Sequence, residues 1–155
     1  MAGAEPSQSL SMGSRMRRFR LLFLLPFSPR LDGTHGGSRT TAQLLTHLAA
    51  RHRVALLYLR APADPPADTL LQEQCELVEE VKRPDPGFSL LSGLARTKSL
   101  LRGWPLWVAS CSVAAFRSRV RILARTWRPD IVQVEFHVMA QYLSALGDCP
   151  APRVL

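Results

Sequence analysis

The fold is decided by residues 20–39, which read Arg20-Leu21-Leu22-Phe23-Leu24-Leu25-Pro26-Phe27-Ser28-Pro29 and then Arg30-Leu31-Asp32-Gly33-Thr34-His35-Gly36-Gly37-Ser38-Arg39. The apolar run over 21–25 stops at a proline. An uninterrupted run of that length suits a strand covered on both faces of a sheet. A loop with three glycines in five residues follows. Beyond it, residues 38–51 place Thr41, Leu44, Leu45 and Leu48 on one side, which predicts a helix with Ser38 as its cap. Strand, glycine-bearing loop and helix open a parallel α/β sheet, in which ligands sit at the carboxyl ends of the strands.

The same alternation continues outward. Val54-Ala55-Leu56-Leu57-Tyr58-Leu59 is a second buried strand, and residues 60–68, with Pro62, Pro65 and Pro66, form a loop. A short helical turn is expected over 70–74. Residues 75–81 form a strand near the sheet edge, because Glu76, Glu79 and Glu80 interrupt their apolar run. After a break at 84–87, residues 88–102 carry the partial leucine stripe of a weak helix. The longest helical signal spans 107–128: Val113, Phe116, Val120, Leu123 and Trp127 share one face, and Arg117, Arg121, Arg125 and Arg128 lie on another. Pro129 ends it. A strand over 131–136 is followed by a helix over 137–146 that Gly147 closes, and residues 153–155 begin a further strand. Residues 1–15, rich in Ser, Gly and Ala, form a disordered lead-in, and 16–155 form one α/β domain. A parallel sheet is expected to continue through Val154, so the chain reads as the front of a longer polypeptide.

Composition narrows the function classes. With 46% hydrophobic and 21% charged residues, the 155-residue chain is that of a folded globule rather than a disordered segment. No apolar run is long enough to span a bilayer, and the five residues before Pro26 are too few for a secretion signal core. Cys75, Cys111 and Cys149 are dispersed and odd in number, which points to a reducing, cytoplasmic setting. The net charge of +8 rests on eighteen arginines against two lysines. Those arginines are spread along the chain without interleaved aromatics, so no specific nucleic-acid partner is expected. The arginine face of the long helix is either a solvated surface or a peripheral contact with anionic lipid on the cytoplasmic membrane face.

Two groups of residues carry possible chemistry. Gly36 and Gly37, ahead of a helix, offer backbone N–H groups and a positive helix pole, a combination that favours phosphate. The loop is neither GxGxxG nor GxxxxGK[ST], so a turn that merely needs glycine is the equal alternative. A bound phosphate would offset the unfavourable position of Arg39 in the first helical turn, and His35 is a substrate-contact candidate. Glu135 and His137 leave a strand end and are weak catalytic candidates for moving a hydroxyl proton, with helix capping the alternative for His137. The four histidines have no metal-ligand spacing, and no metal is expected.

Four stretches in order carry a resemblance: Leu22-Phe23-Leu24-Leu25-Pro26-Phe27-Ser28-Pro29 with Gly36-Gly37-Ser38-Arg39; Leu44-Leu45-Thr46-His47-Leu48-Ala49-Ala50-Arg51-His52-Arg53-Val54; Arg128-Pro129-Asp130-Ile131-Val132-Gln133-Val134-Glu135-Phe136; and Met139-Ala140-Gln141-Tyr142-Leu143. Over residues 17–155 the chain resembles the amino-terminal domain of the retaining family 4 glycosyltransferases of the two-domain GT-B fold. The resemblance implies a Rossmann-like parallel sheet with helices on both faces, incomplete at its carboxyl end. It also implies a nucleotide-diphosphate-sugar donor, a glycan or lipid-linked acceptor, retention of configuration, and no cofactor or bound metal. Gly36 and Gly37 would lie beside the cleft, near donor phosphates and acceptor. The family's donor-binding second domain, with its paired glutamates, is not in this sequence, so the chain alone is expected to be inactive. The family's histidine after the fifth strand would fall beyond Leu155, so His137 does not take that role. A non-enzymatic α/β ligand-binding or interaction module and a basic nucleic-acid-binding domain are the alternatives.

Overall fold

The computed structural model describes residues 17–84, 108 and 110–155. The lead-in over 1–15 and the weak helix over 88–102 lie outside the described residues. The apolar run of the opening stretch is β1 (Arg20–Leu25), and it occupies the middle of a five-stranded parallel sheet. β2 (Arg53–Arg60) and then β3 (Leu77–Lys82) lie on one side, β4 (Ile131–Val134) and then β5 (Arg153–Val154) on the other. The order β3-β2-β1-β4-β5 puts a topological switch point between β1 and β4. Register is continuous across the centre, with Leu22 paired to Ala55 on one side and Val132 on the other.

Successive side chains of a strand point to opposite faces, and here they feed two cores. Leu22 and Leu24 join Ala55, Leu57 and Leu59 under Phe116, Val120 and Tyr142. Leu21, Phe23 and Leu25 join Leu56 and Tyr58 under Ala42, Leu45 and Leu71. The second core is roofed by α1 (Gly36–Ala49) and α2 (Thr69–Gln74). The first is roofed by α3 (Ala114–Thr126) and a 3-10 helix (His137–Leu146). This is a parallel α/β sheet flanked by helices, of the general Rossmann-like kind.

Several local expectations need correction. α1 starts two residues earlier than expected, and its buried stripe is Ser38, Thr41, Ala42 and Leu45, while Leu44 is exposed. Small residues at 38, 41 and 42 let the helix lie close to the sheet. The long helix begins only at Ala114, because Cys111–Val113 leaves the helical path and Val113 is extended at φ −115°. The cause is Tyr142, whose buried hydroxyl accepts from Val113 N (2.8 Å) and donates to Cys111 O. Burial also pushes the Tyr142 phenol up to about 12. β4 stops at Val134 instead of reaching 136, since Phe136 turns the chain at φ 66°. The helix over 137–146 has the expected bounds but is wound as 3-10, and Met139, Tyr142 and Ala145, spaced by three, are all buried. Gly147 closes it at φ 56°, as expected of a residue free to adopt positive φ.

Of the arginines assigned to a solvated face, Arg121, Arg125 and Arg128 are exposed. Arg117 instead reaches the 3-10 helix, donating to Ser144 Oγ (3.0 Å) and Gln141 O (3.2 Å). Among the described residues no helix is long and apolar enough to cross a membrane.

Replacing Tyr142 by Phe leaves Val113 N–H and Cys111 C=O buried without their partner, which costs about 1–3 kcal/mol; urea unfolding of Y142F measures it. Glu76 receives Arg53 (2.5 and 2.7 Å) and the Trp127 indole N–H (3.2 Å), tying β2, the start of β3 and the end of α3. The Arg53 guanidinium holds the Glu76 carboxyl below its ordinary 4.5. Its contribution is therefore complete above that ordinary value and is lost as pH falls through the lower folded value. The melting temperature of E76Q is accordingly expected to fall less than that of the parent between pH 6 and pH 3.

Candidate functional site

The loop between β1 and α1 is built around one hydroxyl. Ser38 Oγ donates to Ser28 O (2.7 Å) and accepts from Arg30 N (3.0 Å), so residue 38 fixes the loop it terminates. Gly33 is required for this fold of the loop: a Cβ there would lie 2.6 Å from Ser38 Oγ and 3.0 Å from Arg30 O. The cap of α1 is His35, not Ser38. Its Nδ1 accepts from Ser38 N at 3.1 Å, which assigns the neutral ring's proton to Nε2.

Arg30 clasps the next loop along the sheet. It makes a two-pronged pair with Asp32 (2.7 Å each), donates to Pro66 O (2.9 Å), and stands 3.7 Å from Asp68. The Arg30 guanidinium holds the Asp32 carboxyl below the usual carboxylate range. Asp68 accepts from Leu31 N and heads α2. The loop over 60–68 is held in turn by Tyr58, which accepts from Ala67 N (3.1 Å) and donates to Glu80 (3.0 Å), and by Arg60, which donates to Asp64 O (3.0 Å).

Between the two loops lies an open cavity of about 260 Å³. Residues of the 28–38 loop form one wall, and Asp64 with Pro65 form the other. Ser28 and Ser38 are two of the three polar residues that are buried among the described ones. Ser38 is satisfied, whereas the buried hydroxyl of Ser28 has no hydrogen-bond partner among the described residues.

Of the residues singled out from sequence, His35 lines this cavity and Gly36, Gly37, Arg39, Glu135 and His137 do not. Gly36 and Gly37 are the first two residues of α1, and Arg39 is exposed on its first turn. Gly37 instead meets the β4 end: a Cβ on it would come within 3.0 Å of Phe136 Cζ. Phe136 packs edge-on against Phe27 (5.3 Å between centroids), and Phe27 packs edge-on against His35 (4.7 Å). This aromatic row spans the β1–β4 switch point. Glu135 accepts from Gln133 Nε2 (3.1 Å), and His137 is the exposed first residue of the 3-10 helix, whose cap is Phe136.

Sequence reasoning did not single out Ser28, Arg30, Asp32, Asp64, Phe27 or Phe136. The only signal was their position, in loops that follow strands β1, β2 and β4. Among the described residues no group of three His, Cys, Asp or Glu side chains comes together to hold a metal ion.

The three glycines separate experimentally. Gly33→Ala must displace Ser38 and is expected to destabilise by about 1–3 kcal/mol. Gly37→Ala must push the Phe136 ring aside and offsets part of that cost through helix propensity. Gly36 faces open space, so Gly36→Ala is expected to be neutral or stabilising by up to about 1 kcal/mol. Urea midpoints in the order G33A, G37A, G36A, lowest to highest, check this reading.

No family model, curated protein or solved structure matches this chain.

Proposed function

We propose that the chain is the amino-terminal, acceptor-side domain of a retaining glycosyltransferase with GT-B architecture, working with a second domain that holds a nucleotide-diphosphate-sugar donor. The observation that carries this reading is the placement of the opening between the 28–38 and 60–68 loops, at the carboxyl ends of the strands, beside the start of α1. An open α/β sheet binds its ligands there.

In this reading the acceptor occupies the loop side and the donor diphosphate approaches the first turn of α1. Gly36 borders open space at the start of α1, and Arg39 stands on the same turn. Backbone N–H groups and a helix pole aimed at a departing diphosphate act where negative charge develops, which is the largest usual term in such catalysis. Docking of the second domain would exclude water and limit hydrolysis of the donor. Glu135 and His137 flank the aromatic row and remain the candidates for handling the acceptor hydroxyl proton. The setting is cytoplasmic, with the exposed arginines of α3 available for anionic lipid.

The test is transfer itself. Residues 1–155 alone are expected to show no donor turnover. The polypeptide read from the source gene past Leu155 is expected to contain a second α/β domain and to transfer sugar from a nucleotide diphosphate with retained anomeric configuration. Turnover by residues 1–155, or no transfer by the longer product across a panel of nucleotide sugars and glycan acceptors, would overturn the proposal.

A further inference from the structure

We infer that the end of the domain at which the strands begin is a docking face for an anionic lipid surface, held by exposed arginines, with the cavity loops turned away from the bilayer. This goes beyond the proposed transfer reaction and does not depend on it. Three observations carry it.

The first is placement. Parallel strands all enter their sheet at one end, so the residues just ahead of each strand are gathered there however far apart they stand in sequence. Arg17 and Arg18 precede β1, Arg51 precedes β2, Arg125 and Arg128 precede β4, and Arg153 opens β5. The entries touch: Arg53 N donates to Phe19 O (2.9 Å), and Asp130 N donates to Arg20 O (2.8 Å). These arginines, scattered in the sequence, therefore share one end of the fold.

The second is charge. Residues 17–20, 51–53, 73–76, 125–130 and 148–153 together hold eight arginines against four acids. Of the acids, Glu76 is taken by Arg53 and Asp130 by Arg20. The side chains of Arg18, Arg51, Arg125 and Arg128 are exposed and make no hydrogen bond or ion pair among the described residues. At the strand exits, residues 30–39, 60–68, 80–83 and 135 hold five cations against five acids, so the cavity end is balanced. Helices α1, α2 and α3 also finish at the entry end, where an arginine offsets the negative helix pole. Each pole is worth about half a charge, so three of them leave more than half of the surplus uncompensated.

The third is the character of the surface. No large exposed apolar side chain stands among the described residues that lead into the strands. Phe19 lies under the Arg17 guanidinium (5.2 Å to the ring centroid), and the Trp127 indole N–H is held by Glu76 (3.2 Å). A protein partner needs apolar or aromatic anchors, and single-stranded nucleic acid needs open aromatic faces. A duplex is gripped phosphate by phosphate, for which helices offer their amino ends, whereas here they turn their carboxyl ends outward. An anionic bilayer needs none of these, because it attracts basic side chains through its surface potential over a Debye length of about 8 Å.

The test is co-sedimentation of the 155-residue chain with phosphatidylcholine vesicles, with and without one third of phosphatidylglycerol. Binding is expected to the anionic vesicles alone, and to weaken steeply between about 50 and 300 mM salt. Each arginine near the surface is worth about fivefold in affinity. The double variant R51Q/R128Q is therefore expected to bind about 25-fold more weakly. K82Q/R121Q removes the same charge from a strand exit and from the side of α3, and is expected to lose about twofold or less. Arg18→Glu lies off both helix ends and is expected to lose at least about fivefold, which keeps the test open if R51Q/R128Q proves unstable by its melting temperature. In the ¹⁵N-labelled chain, lipid spin-labelled at the headgroup is expected to broaden the amides of Arg18, Arg51 and Arg128 and to spare those of Gly33 and Asp64. Four outcomes would each overturn the inference: no binding to the anionic vesicles, equal losses in the two double variants, broadening at Gly33 and Asp64, or tighter binding to a short DNA duplex at equal phosphate concentration.

Discussion

The double-sided burial of β1 is the constraint on which the rest of the structure depends. Leu22 and Leu24 are fully buried in one core, and Leu21, Phe23 and Leu25 are buried in the other. Each such side chain contributes about 1.5–3 kcal/mol when removed from water. A strand of this kind has no solvent face, so helices must cover it on both sides and its neighbours must be added by crossover connections. The β3-β2-β1-β4-β5 order follows once the chain crosses over one face for β2 and β3 and the other for β4 and β5. The switch point is thus a consequence of the most apolar run in the chain, and the cavity lies to one side of it, between the loops that follow β1 and β2.

Where β1 leaves the sheet, apolar packing stops specifying position and short-range polar bonds take over. Ser38 ties the loop to itself, Arg30 and Asp68 tie it to the neighbouring loop, and Tyr58 and Arg60 tie that loop to the sheet. The cavity is held open because these bonds are made by backbone carbonyls and amides as much as by side chains. The loops therefore have a defined spacing without closing on each other. Ser28 contributes to this network through its backbone carbonyl, while its own buried hydroxyl has no hydrogen-bond partner among the described residues.

The sequence made the sheet legible because strand burial leaves a one-dimensional trace. Residues 21–25 and 54–59 are apolar runs bounded by proline or charge and are strands where expected, and of the strand expected over 131–136 the part Ile131–Val134 forms. The edge position of β3 was legible for the same reason, through its interrupted pattern. What was not legible depends on contacts distant in sequence. The break before Ala114 is imposed by Tyr142, more than twenty residues on, and no local signal announces it. The helix cap was assigned to Ser38 by residue type, but the Ser38 hydroxyl is needed by the loop and His35 supplies the cap instead. The glycine pattern also did not announce that the missing side chain of Gly37 makes room for Phe136, at the end of β4. The pair Arg30 and Asp32 is close in sequence, yet its meaning comes from Pro66 and Asp68.

The row Phe27, His35 and Phe136 crosses the junction at which the two halves of a doubly wound sheet diverge. Phe136 stands at a backbone conformation that L-residues rarely adopt, and its ring lies over Gly37 while half of it remains in solvent. Aromatic rings shield or deshield nuclei above their faces and at their edges, so the Gly37 protons carry a built-in chemical-shift marker of the distance between the β4 end and the α1 start. The molecule thus has an intrinsic spectroscopic gauge of its own crevice. Any change in the spacing of its two halves is recorded there without an added label.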